Sequence, residues 1–453
     1  MKRMTRRNFL GTSAAAAFAT TIVPAHVLGE EAPPPSAKLN VACIGVGGRG
    51  GGHLGPAASE NLVALCDVDN NTLEHAAKAY PKAKKFNDYR KLFDEMGKEI
   101  DAVFVATPDH HHAFASMMAI NLGKHVYCEK PLTHSVSEAR KVTEAARKAK
   151  VATQMGNQGA STDGPRLLTE YIAAGAIGKV TEVHVWTDRP GRWEQKKNGE
   201  RVWGPGAWWP QGCDRPTETP PVPAHINWDM WLGAAPERPY NPCYLPFKWR
   251  GWWDFGTGAL GDIGCHAMSP IYKALSLKYP TAIEAESSGG TKESGPLWSI
   301  IKYEFPARGE MPPVKLIWYD GGKLPPRPEE LEKDRQWGDN GTMLIGDKGK
   351  LLYDGTPRII PEAKMKEFKR PEPTIPRIPK GDHHLDFFIA CKGGRPASSN
   401  FEFAGPLAES VLAGNIAVRL GKRIEWDGPN MKATNAPEAD ALIRREYRKG
   451  WTL

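Results

Sequence analysis

Three closely spaced glycines, Gly45, Gly47 and Gly50, follow directly on a short apolar run in the first part of the chain. In a strand–turn–helix unit the first glycine permits a tight turn, the second lets a pyrophosphate approach the backbone, and the third allows close packing of helix on strand. A second apolar run ends in Asp67, about 20 residues downstream, which is the spacing of a dinucleotide-binding βαβ unit. The pattern therefore predicts a Rossmann unit whose helix N-terminus faces a phosphate.

Asp67 also indicates which dinucleotide is bound. A carboxylate at this strand end accepts hydrogen bonds from ribose hydroxyls and repels a 2′-phosphate, which favours NAD over NADP. Two alternatives stay open: Asp67 could be a helix cap or a turn residue, and Arg49 could help to accommodate a phosphate.

Strand-like and helix-like runs continue to alternate up to residue 157. Such alternation predicts a doubly wound parallel sheet with helices on both faces and ligands at the carboxyl ends of the strands. Strand-like runs cover residues 101–108, 125–131 and 151–156, and helical spacing covers residues 112–122 and 136–148. The residues that fall at strand ends include Thr107, Pro108, Glu129 and Lys130.

The pattern changes at residue 158. After a helix at residues 165–174, strands follow one another without intervening helices, at residues 180–188, 282–288, 300–305, 314–319, 342–345 and 350–353. Such strands predict an α+β domain with a large, mainly antiparallel open sheet. An amphipathic helix at 403–420 and a strand at 423–426 follow. We therefore expect a Rossmann domain at residues 39–157 and a substrate domain at residues 158–453.

Residues 1–29 have the three parts of a signal peptide. Four basic residues that include Arg6 and Arg7 precede a weakly apolar stretch, and Val27-Leu28-Gly29 is a candidate cleavage site. The paired arginines are typical of the twin-arginine export route, and the stretch is too weakly apolar to favour a membrane anchor. We expect an exported, periplasmic or extracytoplasmic protein with the export machinery as a partner, a linker at residues 30–38, and no membrane span in the mature chain.

Charge and cysteine content exclude several classes of protein. The formal net charge is +8, but residues 1–29 hold four basic and no acidic side chains, so the rest of the chain carries only +4. This is no basis for nucleic-acid or membrane binding. The seven cysteines show no CxxC pair and no zinc-ligand spacing, so we predict neither a disulfide scaffold nor a metal site.

The histidine-rich segments were also considered as sites. Consecutive His110, His111 and His112 cannot all face one ion from an ordinary turn, and His110 and His111 are expected to be exposed polar residues. His383 and His384 precede an apolar run. They are expected to be polar residues at a helix entry, with a substrate contact by one of them as the alternative.

Two longer stretches resemble a known family. TPDHHHAFASMMAINLGKHVYCEKPL (107–132) is similar to the T-P-x-x-x-H…G-K-H-V-x-x-E-K-P signature of the Gfo/Idh/MocA oxidoreductases, and GALGDIGCHAMS (258–269) resembles their D-x-x-x-H segment. The resemblance covers essentially all of the chain after the signal. It implies a Rossmann domain, an open-sheet domain that serves oligomerisation, and hence a homo-oligomer.

The resemblance also implies residue roles. Lys130 corresponds to the lysine that contacts substrate and nicotinamide, and Glu129 supports it. Asp262 and His266 correspond to the pair that binds the reacting hydroxyl, with the histidine as proton acceptor. His112 corresponds to the family's histidine at the start of a helix. The implied cofactor contacts, together with those from the glycine turn, are Gly45, Gly47, Gly50, Asp67, Thr107, Pro108, His112 and Glu129. Ser269 departs from the aspartate that many members have.

The chemistry of these residue types agrees with such roles. Hydride transfer from a secondary alcohol needs a base for the hydroxyl proton, and histidine has a suitable pKa. A lysine ammonium stabilises charge that develops on the oxygen. Asp262 and His266 are four residues apart, so on a helix both project from one face. The alternative is that Asp262 caps the helix and His266 only packs against it.

Tryptophan is concentrated before this segment: ten of the fifteen tryptophans lie between residues 186 and 253. Aromatic faces pack against the C–H faces of sugars, which would suit a carbohydrate cleft, although each single tryptophan is more commonly a packing residue.

Three functions were weighed. The first is an NAD(P)-dependent oxidoreductase that oxidises a secondary hydroxyl of a sugar, cyclitol or glycoside. The second, implied by family relatives with twin-arginine signals, is a redox-neutral glycosidase that oxidises, eliminates, hydrates and reduces again. The third, a sugar-binding protein without chemistry, is disfavoured because Lys130, Asp262 and His266 are all present. Since export leaves no free NAD pool, the cofactor is expected to be retained tightly.

Overall fold

A computed structural model describes residues 38–191, 193–195, 201–203, 208–336 and 338–453, with the backbone alone for residues 193–195 and 201–203. The predicted signal peptide and nearly all of the linker lie outside the described residues. Within the described ranges, none of the helices combines the length and the apolar character that a membrane span needs.

The first sheet is the predicted parallel one. Its six strands lie in the order β3-β2-β1-β4-β5-β6, and every neighbouring pair is parallel. The strands are β1 (Asn40–Ile44), β2 (Asn61–Cys66), β3 (Lys84–Phe86), β4 (Ala102–Val105), β5 (His125–Glu129) and β6 (Thr153–Gly156). The order reverses between β1 and β4, so a crevice opens there at the carboxyl ends, as the Rossmann topology requires.

Helices connect these strands. They are α1 (Gly51–Ser59), α2 (Asn70–Ala79), α3 (Tyr89–Met96), α4 (Asp109–Asn121), α5 (Val136–Ala149) and α6 (Asp163–Ala173). Helix α5 begins at a capping box, in which Ser135 and Glu138 each accept from the other's backbone N–H. Helix α4 begins three residues before the predicted position, so the triple histidine lies inside its first turn.

The second sheet has nine strands in the order β15-β14-β13-β7-β12-β11-β10-β16-β17. All pairs are antiparallel except β7 with β12, so the expectation of a mainly antiparallel sheet is confirmed. The strands are β7 (Val180–Trp186), β10 (Ala282–Ser287), β11 (Ser299–Phe305), β12 (Val314–Tyr319), β13 (Gly341–Gly346), β14 (Gly349–Tyr353), β15 (Pro357–Ile360), β16 (Ile424–Asp427) and β17 (Lys432–Ala433). A separate hairpin pairs β8 (Trp193–Gln195) with β9 (Arg201–Trp203).

One long helix joins the two sheets. Helix α12 packs on α5 of the Rossmann layer and on β10 and β11 of the second sheet. Two glycines permit this approach: a Cβ on Gly405 would lie 2.2 Å from Thr143 Oγ1, and one on Gly414 would lie 2.0 Å from the Tyr303 hydroxyl. The helices of the second half are α7 (Trp228–Leu232), α8 (Gly258–Ala267), α9 (Ser269–Ala274), α10 (Glu362–Glu367), α11 (His383–Cys391), α12 (Phe401–Leu420) and α13 (Asp440–Ile443).

Candidate active site

The glycine turn lies between β1 and α1, and its shape requires glycine. Gly45 has φ +79°, and a Cβ there would lie 2.6 Å from the Ala106 carbonyl oxygen. A Cβ on Gly50 would lie 2.0 Å from the Gly45 carbonyl oxygen, and one on Gly47 would lie 2.8 Å from Thr72 Cγ2. Helix α1 has no side-chain cap and no acidic residue in its first turn. Its positive end therefore fits a phosphate.

Asp67 follows β2 and faces this turn. Its Oδ2 accepts from the Val46 N–H at 2.9 Å, and its Oδ1 accepts from the Asp69 N–H at 3.0 Å. The cap of α2 is Asp69, so the helix-cap alternative for Asp67 is wrong, although Asp67 does order its own turn. A carboxylate has about four lone-pair sites, so both oxygens can still accept from a ribose. Burial raises the pKa of this carboxyl.

A second polar atom at the strand ends fits a ligand. The Thr107 hydroxyl, directly after β4, is buried and has no hydrogen-bond partner among the described residues. Buried polar atoms are nearly always paired, so an unpaired hydroxyl at the carboxyl edge of a Rossmann sheet fits a bound dinucleotide.

Glu129 ends β5 and carries a cluster of donors. Arg49 Nε, His53 Nε2 and Gln158 Nε2 lie 3.1, 3.1 and 2.7 Å from its Oε1. Burial disfavours the charge, but His53, Arg49 and Lys130 outweigh it and lower the pKa of Glu129 to about 2. The carboxylate therefore anchors the arginine of the glycine turn, and its influence on Lys130 is through charge.

Lys130 and Asp262 are brought together, with a third residue that the sequence did not suggest. Asp262 Oδ1 accepts from Lys130 Nζ at 2.5 Å and from Arg250 Nε at 2.9 Å. Although burial opposes the charge, Lys130 and Arg250 hold the pKa of Asp262 well below its usual range. Thr257 precedes the helix as its cap position, so the alternative in which Asp262 caps α8 is wrong.

His266 lies one turn after Asp262 on the same helix and is partly buried. Burial and the nearby Lys130 lower the pKa of His266 to about 4. The imidazole is therefore neutral at pH 7 and can accept a proton. Ser269 is the first residue of α9 and is buried.

No sequence motif pointed to Arg250, and twelve residues separate it from its partner Asp262. It lies in a short 3₁₀ turn at residues 248–251, with its guanidinium 3.8 Å from the Phe247 ring centroid and 4.3 Å from that of Trp249. Asp109 was also missed. It is buried at the start of α4, its Oδ2 accepts from Thr257 Oγ1 at 2.7 Å, and burial raises its pKa to about 6.

The expectation that His110 and His111 are exposed is wrong. Both rings are buried, and the Nε2 of each lies 2.9 Å from the Trp231 carbonyl oxygen. They pack inward because α4 begins at Asp109 and turns them onto α7. His112 is also buried, and both its ring nitrogens contact backbone carbonyls, those of Pro131 and Thr107.

His383 and His384 occupy the entry of α11, as expected. Asp382 caps that helix. His383 is buried, with Nε2 donating to the Met155 carbonyl at 2.8 Å and Nδ1 2.5 Å from Ser161 Oγ. His384 stacks on Tyr127 and lies 2.8 Å from His53 Nδ1. His383 is thus a buried packing residue, whereas His384 reaches the donor cluster around Glu129.

Most of the tryptophans between residues 186 and 253 are packing residues. Six of the eight with described side chains are buried, and two more, Trp193 and Trp203, lie outside the described side chains. Trp208 is 37% exposed and Phe247 is 40% exposed. Their ring centroids are 6.4 Å apart, and Arg250 links Phe247 to Asp262. We call Trp208 and Phe247 the aromatic rim.

Family models match two parts of the chain. The one described as "Oxidoreductase family, NAD-binding Rossmann fold" matches residues 39–157, and the one described as "Oxidoreductase family, C-terminal alpha/beta domain" matches residues 207–453.

Among curated proteins, the chain is 31% identical over 152 residues to an inositol 2-dehydrogenase of Salmonella typhimurium, covering 32% of this chain and 45% of that one. It is 24% identical over 186 residues to a glycosyl hydrolase family 109 protein of Shewanella pealeana, covering 39% and 40%. The chain thus spans less than half the length of either relative.

Among solved structures, the chain resembles the WlbA dehydrogenase from Bordetella pertussis in complex with NADH and UDP-GlcNAcA. The TM-score is 0.57 and the identity 16%, covering 86% of this chain and 99% of that one. At this identity the likeness supports the fold alone.

Proposed function

Because the chain belongs to the Gfo/Idh/MocA family of oxidoreductases, we propose that it oxidises a secondary hydroxyl of a sugar, cyclitol or glycoside with NAD. The observation that carries this proposal is one cluster of side chains. Lys130, which directly follows β5, and Arg250 both donate to Asp262, and a neutral His266 lies one helical turn after Asp262. This set supplies a base, a cation and a carboxylate at the edge of the sheet where a dinucleotide binds.

Each residue has a distinct chemical task. When bound, NAD supplies the hydride acceptor. Lys130 and Arg250 both donate to Asp262 Oδ1, which leaves Oδ2 to accept a hydrogen bond from a substrate hydroxyl next to the reacting one. His266 takes the hydroxyl proton because it is neutral at working pH. The Lys130 ammonium stabilises negative charge that develops on the oxygen.

The preference for NAD is supported by two carboxylates. Asp67 stands at the end of β2, where it would accept from a ribose and repel a 2′-phosphate. Arg49 was the residue that could have favoured NADP, but its Nε donates to Glu129 at the end of β5. Two strands, β1 and β4, separate β2 from β5, so Arg49 is engaged away from Asp67.

A carbohydrate substrate is supported by the aromatic rim and by the relatives. Exposed rings beside a cation and a carboxylate suit the alternating C–H and hydroxyl groups of a sugar. The inositol 2-dehydrogenase relative is named for a cyclitol, in agreement with such a substrate.

The direct test is oxidation of a panel of sugars, cyclitols and glycosides, followed by the absorbance of NADH. We expect oxidation by the unaltered chain and its loss in Lys130→Ala and His266→Ala. Folding is checked by circular dichroism. Full activity in either folded variant would show that the site assignment is wrong.

A second candidate is the redox-neutral glycosidase. It is favoured by the similarity to a glycosyl hydrolase family 109 protein and by the predicted export signal, because an exported enzyme must keep and regenerate its cofactor. Release of free sugar over many turnovers without added NAD would support the glycosidase. A keto-sugar in stoichiometric amount with bound NADH would support the dehydrogenase.

Export and cofactor retention belong to the same proposal. Replacing Arg6 and Arg7 by lysine is expected to keep the protein in the cytoplasm. Mass spectrometry of the ligand released from denatured, exported protein is expected to find NAD. We also propose a homo-oligomer, which is measured by light scattering on the purified protein.

A further inference from the structure

We propose that His112 is an imidazolium at neutral pH that joins the turn after β4 to the turn after β5 and so positions Lys130. The positioning role rests on the proposed oxidoreductase function, whereas the charge of the ring does not.

The first step is the hydrogen bonding of the ring. Nδ1 lies 2.7 Å from the Pro131 carbonyl oxygen, and Nε2 lies 2.8 Å from the Thr107 carbonyl oxygen. A carbonyl oxygen only accepts, and a neutral imidazole has one nitrogen without hydrogen. A neutral ring would therefore set a nitrogen lone pair against an oxygen lone pair at one of the two contacts. The side chain is 1% exposed, so solvent cannot intervene, and the two short contacts favour hydrogen on both nitrogens.

The second step is the set of polar groups around the ring. Burial opposes a cation here, whereas the Cys128 sulfur on β5, the Asp109 carboxylate on the same helix and the Pro131 carbonyl favour it and raise the pKa of His112. Asp109 is itself held by the Thr257 hydroxyl from the start of α8. The ring thus has a buried carboxylate as its counter-charge.

The two neighbouring histidines show that burial alone does not create this state. His111 is satisfied as a neutral ring, since Nε2 donates to the Trp231 carbonyl and Nδ1 lies 3.2 Å from the Tyr89 hydroxyl, which can donate to it. His110 also has both ring nitrogens near carbonyl oxygens, Nε2 2.9 Å from that of Trp231 and Nδ1 3.2 Å from that of Phe255. It differs from His112 in its longer Nδ1 contact and in having no carboxylate to offset its burial, whereas His112 has Asp109. Burial, His111, Arg445 and His134 hold the pKa of His110 well below its usual value.

The third step links the ring to Lys130. Strands β4 and β5 are parallel neighbours, and Thr107 and Pro131 lie in the turns that leave them. Pro131 directly follows Lys130 across a cis peptide bond. The imidazolium therefore fixes the backbone from which the Lys130 side chain reaches Asp262. Because both ring nitrogens are engaged by backbone, His112 is a positioning residue, and its ring nitrogens are not free for the cofactor contact inferred from the motif.

The charge is tested by NMR of the full chain labelled with ¹⁵N-histidine. The ring signals are assigned by comparing spectra of His112→Gln, His111→Gln and His110→Gln. We expect both His112 ring nitrogens to be protonated at pH 7, while His111 keeps one bare nitrogen. A bare nitrogen on His112 at pH 7 would overturn the proposal, whether or not the protein shows any enzyme activity.

The positioning role is tested by kinetics, with His111→Gln as the matched control on the same helix. A displacement of about 1 Å at a catalytic group costs about 10²-fold in rate. We therefore expect His112→Gln to lower kcat by about 10²-fold with KM changed less than about threefold, and His111→Gln to leave kcat within about threefold. Equal losses of kcat in the two variants would refute positioning. If His112→Gln does not fold, His112→Asn replaces it in both the NMR assignment and the kinetics.

Discussion

At the scale of single residues, Arg250 is the largest addition to the site. It shares Asp262 Oδ1 with Lys130, so its removal would leave the carboxylate with one cation and freedom to rotate. We expect Arg250→Ala to lower kcat/KM by about 10- to 100-fold, since charge-assisted hydrogen bonds to a charged group contribute about 1.5–3 kcal/mol. Steady-state kinetics on the panel substrate measures this loss.

The matched control is Lys248→Ala. Lys248 lies in the same 3₁₀ turn but is exposed, and no change in kcat/KM is expected. Equal losses for the two variants would mean that the turn, and not the guanidinium, is what matters.

The state of His266 makes a pH prediction. Its pKa is lowered to about 4 by burial and Lys130, and only the neutral ring accepts a proton. We expect kcat/KM to be flat from pH 8 to about pH 5 and to fall at lower pH, because the profile reports the free enzyme's base. An ordinary histidine would lose activity near pH 6.5, so an apparent pKa near that value would contradict the lowered pKa of His266. Circular dichroism at each pH confirms that the fold persists.

Sequence motifs identified the residues whose types the motifs specify. The glycine turn, Lys130, Asp262 and His266 all lie in short motifs, and the structure brings the last three together although Lys130 and Asp262 are 132 residues apart. Arg250 lies outside both family signatures, and Asp109 occupies a position where the first signature specifies no residue type. The orientation of His110 and His111 was misjudged because it depends on where α4 begins, and helix starts are the least certain part of a periodic pattern.

At the scale of elements, the joint between the two sheets depends on helix α12. Its glycines allow contacts that no other residue would: a Cβ on Gly414 would lie 2.0 Å from the Tyr303 hydroxyl, which is buried between helix and sheet. We expect Gly414→Ala to lower the free energy of unfolding by about 1–3 kcal/mol, the usual cost of overpacking. Urea titration measures the change.

Gly55→Ala in α1 is the control for this substitution. Nothing beyond its chain neighbours lies within 4 Å of a Cβ at Gly55, and the residue is exposed. Because Pro56 follows and disfavours a Cβ in a helix, the gain of about 0.5–1 kcal/mol usual for Gly→Ala is offset, and we expect a smaller loss of stability than in Gly414→Ala. If Gly414→Ala were no less stable than Gly55→Ala, the close packing of α12 on β11 would be refuted.

The elements that periodicity predicted are the long ones. Helices α5 and α12 and strands β7, β11 and β12 lie within a few residues of their expected positions. Strands β3, β15 and β17 have two to four residues, too few for a period to be recognised. The parallel pairing of β7 with β12 was also not foreseen, because register between distant strands is set by tertiary packing and leaves no local pattern.

At the scale of the whole molecule, the C-terminal segment (residues 445–451) packs on the Rossmann layer. Arg445 Nε donates to Glu138 Oε1 at 2.7 Å, and its Nη2 donates to the His110 carbonyl at 2.8 Å. Trp451 packs edge-on against His111 and Phe114. The segment therefore rests on the two helices, α4 and α5, that flank the turn carrying Lys130.

Arg445→Met tests how much the contacts of Arg445 with Glu138 and the His110 carbonyl stabilise the fold. Glu138 is fully buried, so loss of Arg445 leaves a buried carboxylate without its cation, and breaking such a pair costs on the order of 3 kcal/mol. We therefore expect Arg445→Met to unfold at a lower urea concentration than the unaltered protein. Arg444→Met is the matched control, because Arg444 is 48% exposed and pairs with the exposed Asp440, and such substitutions stay within about 0.5 kcal/mol. If the two variants were equally stable, the ion pair of Arg445 with Glu138 would not hold the C-terminal segment on the Rossmann layer.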